Sequence, residues 1–421
     1  DYDRIIFSYP FRCLQDKTQV FPLPKTDFVH TRLTHSLEVS SVGRSLGKKV
    51  GKIVIDRNPN LAEKGINQFE MGAIVASAAL AHDIGNPPFG HSGEDAISEY
   101  FLEDDFGRSL KSQMNEKEWA DLTSFEGNAQ GFRLLINNKF QGLKVTFATL
   151  AAFSKYPRES LVQTVDPGRK SQKKYGFFQS EKEFFKETAE QTGLKSLSDQ
   201  DLVWCRHPLA FLVEAADDIC YSIIDLEDGC NLNLVSVDTV TELLSPILGD
   251  KFDYKKFQRI ELKREKVSLL RALAIAELIE QTTEVFIDNE PGILNGQFDK
   301  ALTSVIPSSN HLKDIIKISV ENIYQSTPVL EKETAGFEVL SGLIDAYLRA
   351  AFDFYQHEGK AGKKNTTILN LFPDDLKAEL KQDHDSFYHL ILACLDHITL
   401  MTDSFALEKY RKIKGISIPG Y

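Results

Sequence analysis

At 421 residues the chain is longer than an average domain and fits one large helical domain carrying a lobe. Its apolar content suffices for a large core, and a net charge of −12 excludes a general nucleic-acid or anionic-membrane surface, so an anionic ligand needs a local basic cluster. Five cysteines without a Cys-x-x-Cys pair read as reduced, buried thiols of a cytoplasmic protein, and no apolar run approaches membrane-spanning length.

Residues 1 to 30 mix aromatic, proline and basic residues without a clean period. From Thr31 to about Ile55, apolar residues recur at helical spacing (Leu33, Leu37, Val39, Val42, Leu46, Val50, Ile53) and predict a long amphipathic helix, with Arg32 and His35 on one face. Gly72 to Leu80 is nearly all small or apolar and predicts a buried helix, from whose end His82 and Asp83 emerge. Imidazole beside carboxylate is what borderline and hard divalent ions accept. A capping histidine followed by a solvated aspartate would look the same. Gly85, Pro87, Pro88 and Gly90 then force a tight turn, and His91 and Glu94 share a face if a helix begins there.

Residues 94 to about 140 read as helical, broken by a polar stretch near Lys111 to Trp119, with a turn at Phe125 to Gln130. Residues 155 to 180 are the least regular and carry Arg169, Lys170, Lys173 and Lys174, either a solvated loop or one that grips phosphate. Leu209 to Asp228 predicts a second informative helix, stopped by Gly229. Asp217, Tyr221 and Asp225 form one polar stripe on it, while Asp218 lies about 100° around the axis and points elsewhere. Acidic residues in so apolar a helix are costly to bury unless paired or metal-bound. Further helices are expected at Ser268 to Phe286 and Phe337 to Phe354; His207, His311, His357, His384, His389 and His397 read as ordinary core or surface residues.

The order His35, then His82-Asp83, then an aspartate of the Asp217-Asp218 pair resembles the HD superfamily of metal-dependent phosphohydrolases. Lys17 to Phe21, Thr31 to Val39, His82 to Glu94, Phe125 to Gln130, Lys174 to Phe178 and Glu214 to Tyr221 are similar to successive blocks of the bacterial deoxyguanosine triphosphate triphosphohydrolases, with a weaker block at Met401 to Asp403. The resemblance implies an all-α fold: an HD-domain core over residues 1–235 and a C-terminal helical region over 236–421 that packs on it and completes the pocket or an oligomer interface. It implies hydrolysis of a deoxynucleoside triphosphate (dNTP), with dGTP favoured, at the α-phosphorus to deoxynucleoside and tripolyphosphate. It implies Mg²⁺ or Mn²⁺ on His35, His82, Asp83 and Asp217, and His91 with Glu94 as the catalytic pair. For the substrate it implies Arg32, Lys174 and Tyr175 at the phosphates and Gln19, Val20, Tyr221 and Asp225 at the sugar or base. Members form homo-oligomers, often hexamers, and some respond to a regulatory dNTP or to single-stranded DNA. Cys13 departs from the pattern, which more often has a second arginine after Arg12. A 5′-nucleotidase or phosphodiesterase of the same superfamily, or a non-catalytic dNTP sensor, are the alternatives.

Overall fold

The structure is a computed structural model that describes residues 1–20, 30–137, 143–382 and 386–416, and of Pro328 the backbone alone. Phe21 and His384, named above, lie outside the described residues. Among the described residues there are helices, turns and three isolated β-bridges, so the fold is all-α.

Local sequence explains where the site-bearing helices start. α1 (Arg32–Arg57) opens with a reciprocal capping pair, in which Thr31 and Thr34 each accept the other's backbone N–H. α2 (Gln68–Ala81) opens the same way with Asn67 and Glu70. Its residues Val75 to Ala81 are buried, and so are His82 and Asp83, which follow them. The turn that follows delivers α3 (His91–Glu103) through Gly90, whose φ of 65° suits glycine; a Cβ there would also stand 2.9 Å from an Arg32 amino nitrogen. α4 (Glu116–Thr123), α5 (Gly127–Ile136) and α6 (Phe147–Phe153) follow. α7 (Pro208–Asn231) runs past the expected stop at Gly229. That glycine serves packing instead, because a Cβ there would sit 2.4 Å from the Ile323 side chain. α8 (Lys263–Asp288), α9 (Thr327–Gln356), α10 (Phe387–Thr399) and α11 (Asp403–Ile413) complete the set used below.

Two apolar cores hold these helices. The first joins α1, α2, α6, α7 and α8 through residues such as Leu46, Val75, Leu150, Ile219 and Leu278, so helices on both sides of residue 235 build it. The second joins α3, α4, α9, α10 and α11 through Ile97, Leu122, Tyr347, Ile391 and Ala406. Each fully buried aliphatic side chain contributes about 1.5–3 kcal/mol, which makes both cores stiff supports. No single described helix is long and apolar enough to cross a membrane.

Candidate active site

Three helices of the first core bring polar residues to one point. His35 Nε2 on α1 and His82 Nε2 at the end of α2 lie 3.2 and 3.4 Å from the same oxygen, Asp217 Oδ1 on α7. One ligand atom from each of the three lies within 4.8 Å of the others. Asp83 stands at the edge of this cluster: Oδ1 is 3.4 Å from His82 Nε2 and accepts from Asn86 Nδ2 at 2.5 Å, while Oδ2 pairs with Arg32 at 2.9 Å. Burial would raise the Asp83 pKa, but Arg32 and His82 outweigh it and hold it at about 2. Asp217 is likewise held well below the carboxylate range, against burial, by Lys155 and His82.

These donors fit a divalent cation, and the reason lies in one hydrogen bond. His82 Nδ1 is 2.7 Å from the Ala79 carbonyl, an atom that only accepts, so Nδ1 carries the proton. In the neutral ring Nε2 is then a lone pair aimed at two carboxylates. Acceptors so placed require a positive charge between them, either a proton or a metal ion. Burial opposes charge on His82, yet Asp83 and Asp217 prevail and raise its pKa. Two imidazole nitrogens with carboxylate oxygens are a donor set for hard to borderline divalent ions.

The same cavity, about 490 Å³, is lined on its other side by His91 and Glu94. The carboxylate of Glu94 is buried; Oε2 holds His91 Nδ1 at 2.8 Å and Oε1 accepts the Gly127 N–H at 2.6 Å. That leaves His91 Nε2 free on a side chain that is 81% exposed. The hydrogen bond to Glu94 raises the His91 pKa, so its proton persists above the ordinary histidine range.

Of the residues expected at the substrate, Gln19, Val20, Arg32, Lys174 and Tyr221 line this cavity. Lys174 is tethered to Glu126 at 2.9 Å. Three expectations are corrected. Tyr175 is 2% exposed and turns away from the cavity, its hydroxyl donating to the Asp121 carbonyl at 2.6 Å, because its ring packs in the second core. Asp225 is 1% exposed and does not line the cavity; Tyr324 covers it, donating to Oδ2 at 2.8 Å. Burial raises the Asp225 pKa to about 8. Asp218, expected to point elsewhere, does line the cavity, where Thr303 donates to its Oδ2 at 2.5 Å.

Several lining residues escaped the sequence. Lys155 donates to Asp217 Oδ2 at 2.5 Å. It follows the buried helix α6 as His82 follows α2, and that repeated pattern was the available signal. Tyr324, Val329 and Glu333 also line the cavity, Tyr324 stacking on Tyr221 at 5.7 Å between ring centroids. They lie about a hundred positions beyond α7, and nothing in their local sequence marks them.

Comparison with known proteins identifies the family. The HD domain family matches residues 32–124, which carry His35, the His82-Asp83 pair, His91 and Glu94. The chain is 43% identical to a deoxyguanosinetriphosphate triphosphohydrolase-like protein of Synechocystis sp., over 99% of this chain and 93% of that one. It is 39% identical to a protein of the same name from Pseudomonas aeruginosa, over 100% of this chain and 93% of the relative. With the deoxyguanosinetriphosphate triphosphohydrolase of Salmonella schwarzengrund the identity is 29%, over 99% and 93%. A likeness that runs from end to end, and not through the metal motif alone, makes this chain a member of the deoxyguanosinetriphosphate triphosphohydrolase-like family of HD-domain proteins.

Proposed function

We propose that the chain is an enzyme that hydrolyses deoxynucleoside triphosphates, dGTP foremost, to deoxynucleoside and tripolyphosphate with the help of Mg²⁺ or Mn²⁺. One observation carries the reading: a single cavity is lined by His35, His82 and Asp217, by the His91–Glu94 pair, and by the cations Arg32, Lys155 and Lys174. His35, His82 and Asp217, with Asp83 beside them, would hold the metal ion, which supplies a Lewis acid to the α-phosphoryl group. Arg32, Lys155 and Lys174 bind the triphosphate oxygens, Arg32 with its planar fork. His91, oriented through Nδ1 by Glu94, holds a proton at Nε2 and delivers it to the departing 5′-oxygen.

At the other end Gln19 Oε1 is buried without a hydrogen-bond partner, an acceptor available to the sugar 3′-hydroxyl. Tyr221 and Tyr324 form an aromatic wall. Val20 and Val329 add apolar lining to the cavity. That dGTP comes foremost follows the names of the relatives. A cytoplasmic homo-oligomer regulated by a second dNTP or by single-stranded DNA belongs to the same reading, and sedimentation with and without each ligand tests it.

The deciding experiment incubates the purified protein with each of the four dNTPs and Mg²⁺ or Mn²⁺ and resolves the products by ion exchange. Tripolyphosphate with free deoxynucleoside, formed fastest from dGTP, is expected. Orthophosphate as the product would point to a nucleotidase, a linear product from a cyclic nucleotide to a phosphodiesterase. Metal-loaded protein that turns over no dNTP would point to a sensor.

A further inference from the structure

Asp403 is the first residue of α11 and is 1% exposed, yet it does not spend its carboxylate on its own helix. The capping role there belongs to Thr402, whose side chain accepts the Phe405 N–H. Asp403 instead reaches two remote segments. Oδ2 accepts from the Thr18 backbone N–H at 3.0 Å and from the Thr18 hydroxyl, and Oδ1 accepts from the Phe89 N–H at 2.9 Å. Thr18 precedes Gln19 at the sugar end of the cavity. Phe89 precedes Gly90 and His91, and its φ of 64° is a strained value for a residue with a side chain.

The corner between α10 and α11 makes a parallel attachment four residues earlier. Lys17, 1% exposed, donates from Nζ to the Thr399 carbonyl at 2.5 Å and to the Asn86 carbonyl at 2.7 Å. Lys17 and Thr18 thus belong to one segment and Asn86 and Phe89 to the other, and one corner of the C-terminal region holds both. The first segment is also tied to the start of α1, where Arg32 N–H donates to the Lys17 carbonyl at 3.1 Å.

We propose that Asp403 is a positioning residue for the reaction: it fixes the spacing between the segment carrying Gln19 and the turn carrying His91, and so places the proton donor over the leaving oxygen. The assignment rests on the proposed role of His91 as that donor. The chemistry of the clamp requires a carboxylate. Three donors converge on its two oxygens, and an amide would turn its own N–H₂ against either Thr18 or Phe89. His35, His82 and Asp217 are held by α1, α2 and α7 in the first core, and Asp403 spends its hydrogen bonds on Thr18 and Phe89 instead, so its loss should leave the metal bound.

The test compares the full-length wild type, Asp403→Asn and His91→Ala on dGTP and on a dGTP analogue with sulfur in place of the bridging 5′-oxygen. A thiolate leaves without needing a proton, so a defect in proton donation disappears with the analogue. His91→Ala should slow dGTP turnover by about 10²–10⁴-fold, the usual range for a general acid, and the analogue far less. Asp403→Asn should show the same dependence on the leaving group, with kcat on dGTP about 10–100-fold down and Mn²⁺ stoichiometry unchanged. Equal slowing of both substrates by Asp403→Asn, or none, overturns the proposal. If His91→Ala shows no dependence on the leaving group, the assignment of the donor itself has failed, a distinct result. Should Asp403→Asn not fold, Thr18→Val removes one donor to the clamp, and its defect should be selective for dGTP and recovered by Thr18→Ser. A Thr18→Val enzyme that treats the two substrates as wild type does overturns the proposal.

Discussion

The two ends of the cavity are built differently. At the metal end, His35, His82 and Asp217 stand on three long helices whose apolar faces share one core, and their neighbours Arg32, Asn86 and Lys155 engage the carboxylates directly. At the end proposed for the sugar, Gln19 and Val20 lie on a short irregular segment, and Tyr324 and Val329 come from the region leading into α9 and from its first turn. The metal end is rigid because helices in a packed core set its distances. The far end depends on clamps such as Asp403, reaching from the end of the chain. Metal binding should therefore be insensitive to changes at the far end, and substrate choice sensitive to them.

The largest effect should come from Asp217→Ala. It removes the oxygen on which both histidines converge, so bound metal falls to background and turnover drops on the order of 10³-fold, about 4 kcal/mol in the barrier. Asp218→Ala should keep its metal, because that carboxylate is engaged by Thr303 and not by the histidines. Metal analysis of the two proteins checks the pair, and metal lost from the Asp218 variant alone would invert the assignment. Next in size is Glu94→Gln. Glu94 stabilises protonated His91, so without it the His91 pKa falls toward the ordinary value. Because the donor must be protonated, the alkaline limb of the pH–rate profile should move to lower pH, as measured by kcat between pH 6 and 10. An unmoved limb would exclude His91 as the titrating group.

Lys155→Met tests whether the metal end depends on its surrounding shell. It takes away the cation that holds Asp217 Oδ2 and should weaken metal binding by about 10–100-fold, measured calorimetrically. Gln19→Ala removes the acceptor proposed for the sugar 3′-hydroxyl; it should leave the metal untouched and lower kcat/KM for dGTP by about 10-fold, with less effect on a dGTP analogue lacking that hydroxyl. Were it to alter metal content instead, the two ends would not be separable. The smallest effect is expected from Asp225→Asn. Burial holds Asp225 protonated up to about pH 8, whereas in the unfolded chain it ionises near the ordinary carboxylate value. Between those values the folded state binds a proton that the unfolded state lacks, so wild-type stability declines as pH rises. The asparagine variant should show a flatter decline in thermal-melting temperature from pH 5 to 8.

Much of the metal end was legible in sequence because its signals are local. A small-residue apolar run ending in His82-Asp83 says that a buried helix emerges there, and the Pro-Pro turn says that another begins at His91. The stripe on α7 was only partly legible. Spacing of four put Asp225 beneath Tyr221, but whether it met solvent depended on Tyr324, which stacks there from 103 positions away (324 minus 221). Asp218 was misjudged for a related reason: an angle about one helix axis says nothing of the loop carrying Thr303 that closes over it. Tyr175 looked like a companion to Lys174, yet its ring satisfied the second core and its hydroxyl found a backbone carbonyl.

By itself, then, the sequence determined the helical fold, through periodicity and capping, and its resemblance to a known family singled out His35, His82, Asp83 and Asp217 as candidate ligands and His91 with Glu94 as the candidate catalytic pair. Only the tertiary structure decided what lines the cavity. Lys155, Tyr324 and Glu333 are brought to the cavity, and Tyr175 and Asp225 withdrawn from it, by packing between segments far apart in the chain. Those contacts have no local signature, because burial of a side chain is a property of what covers it.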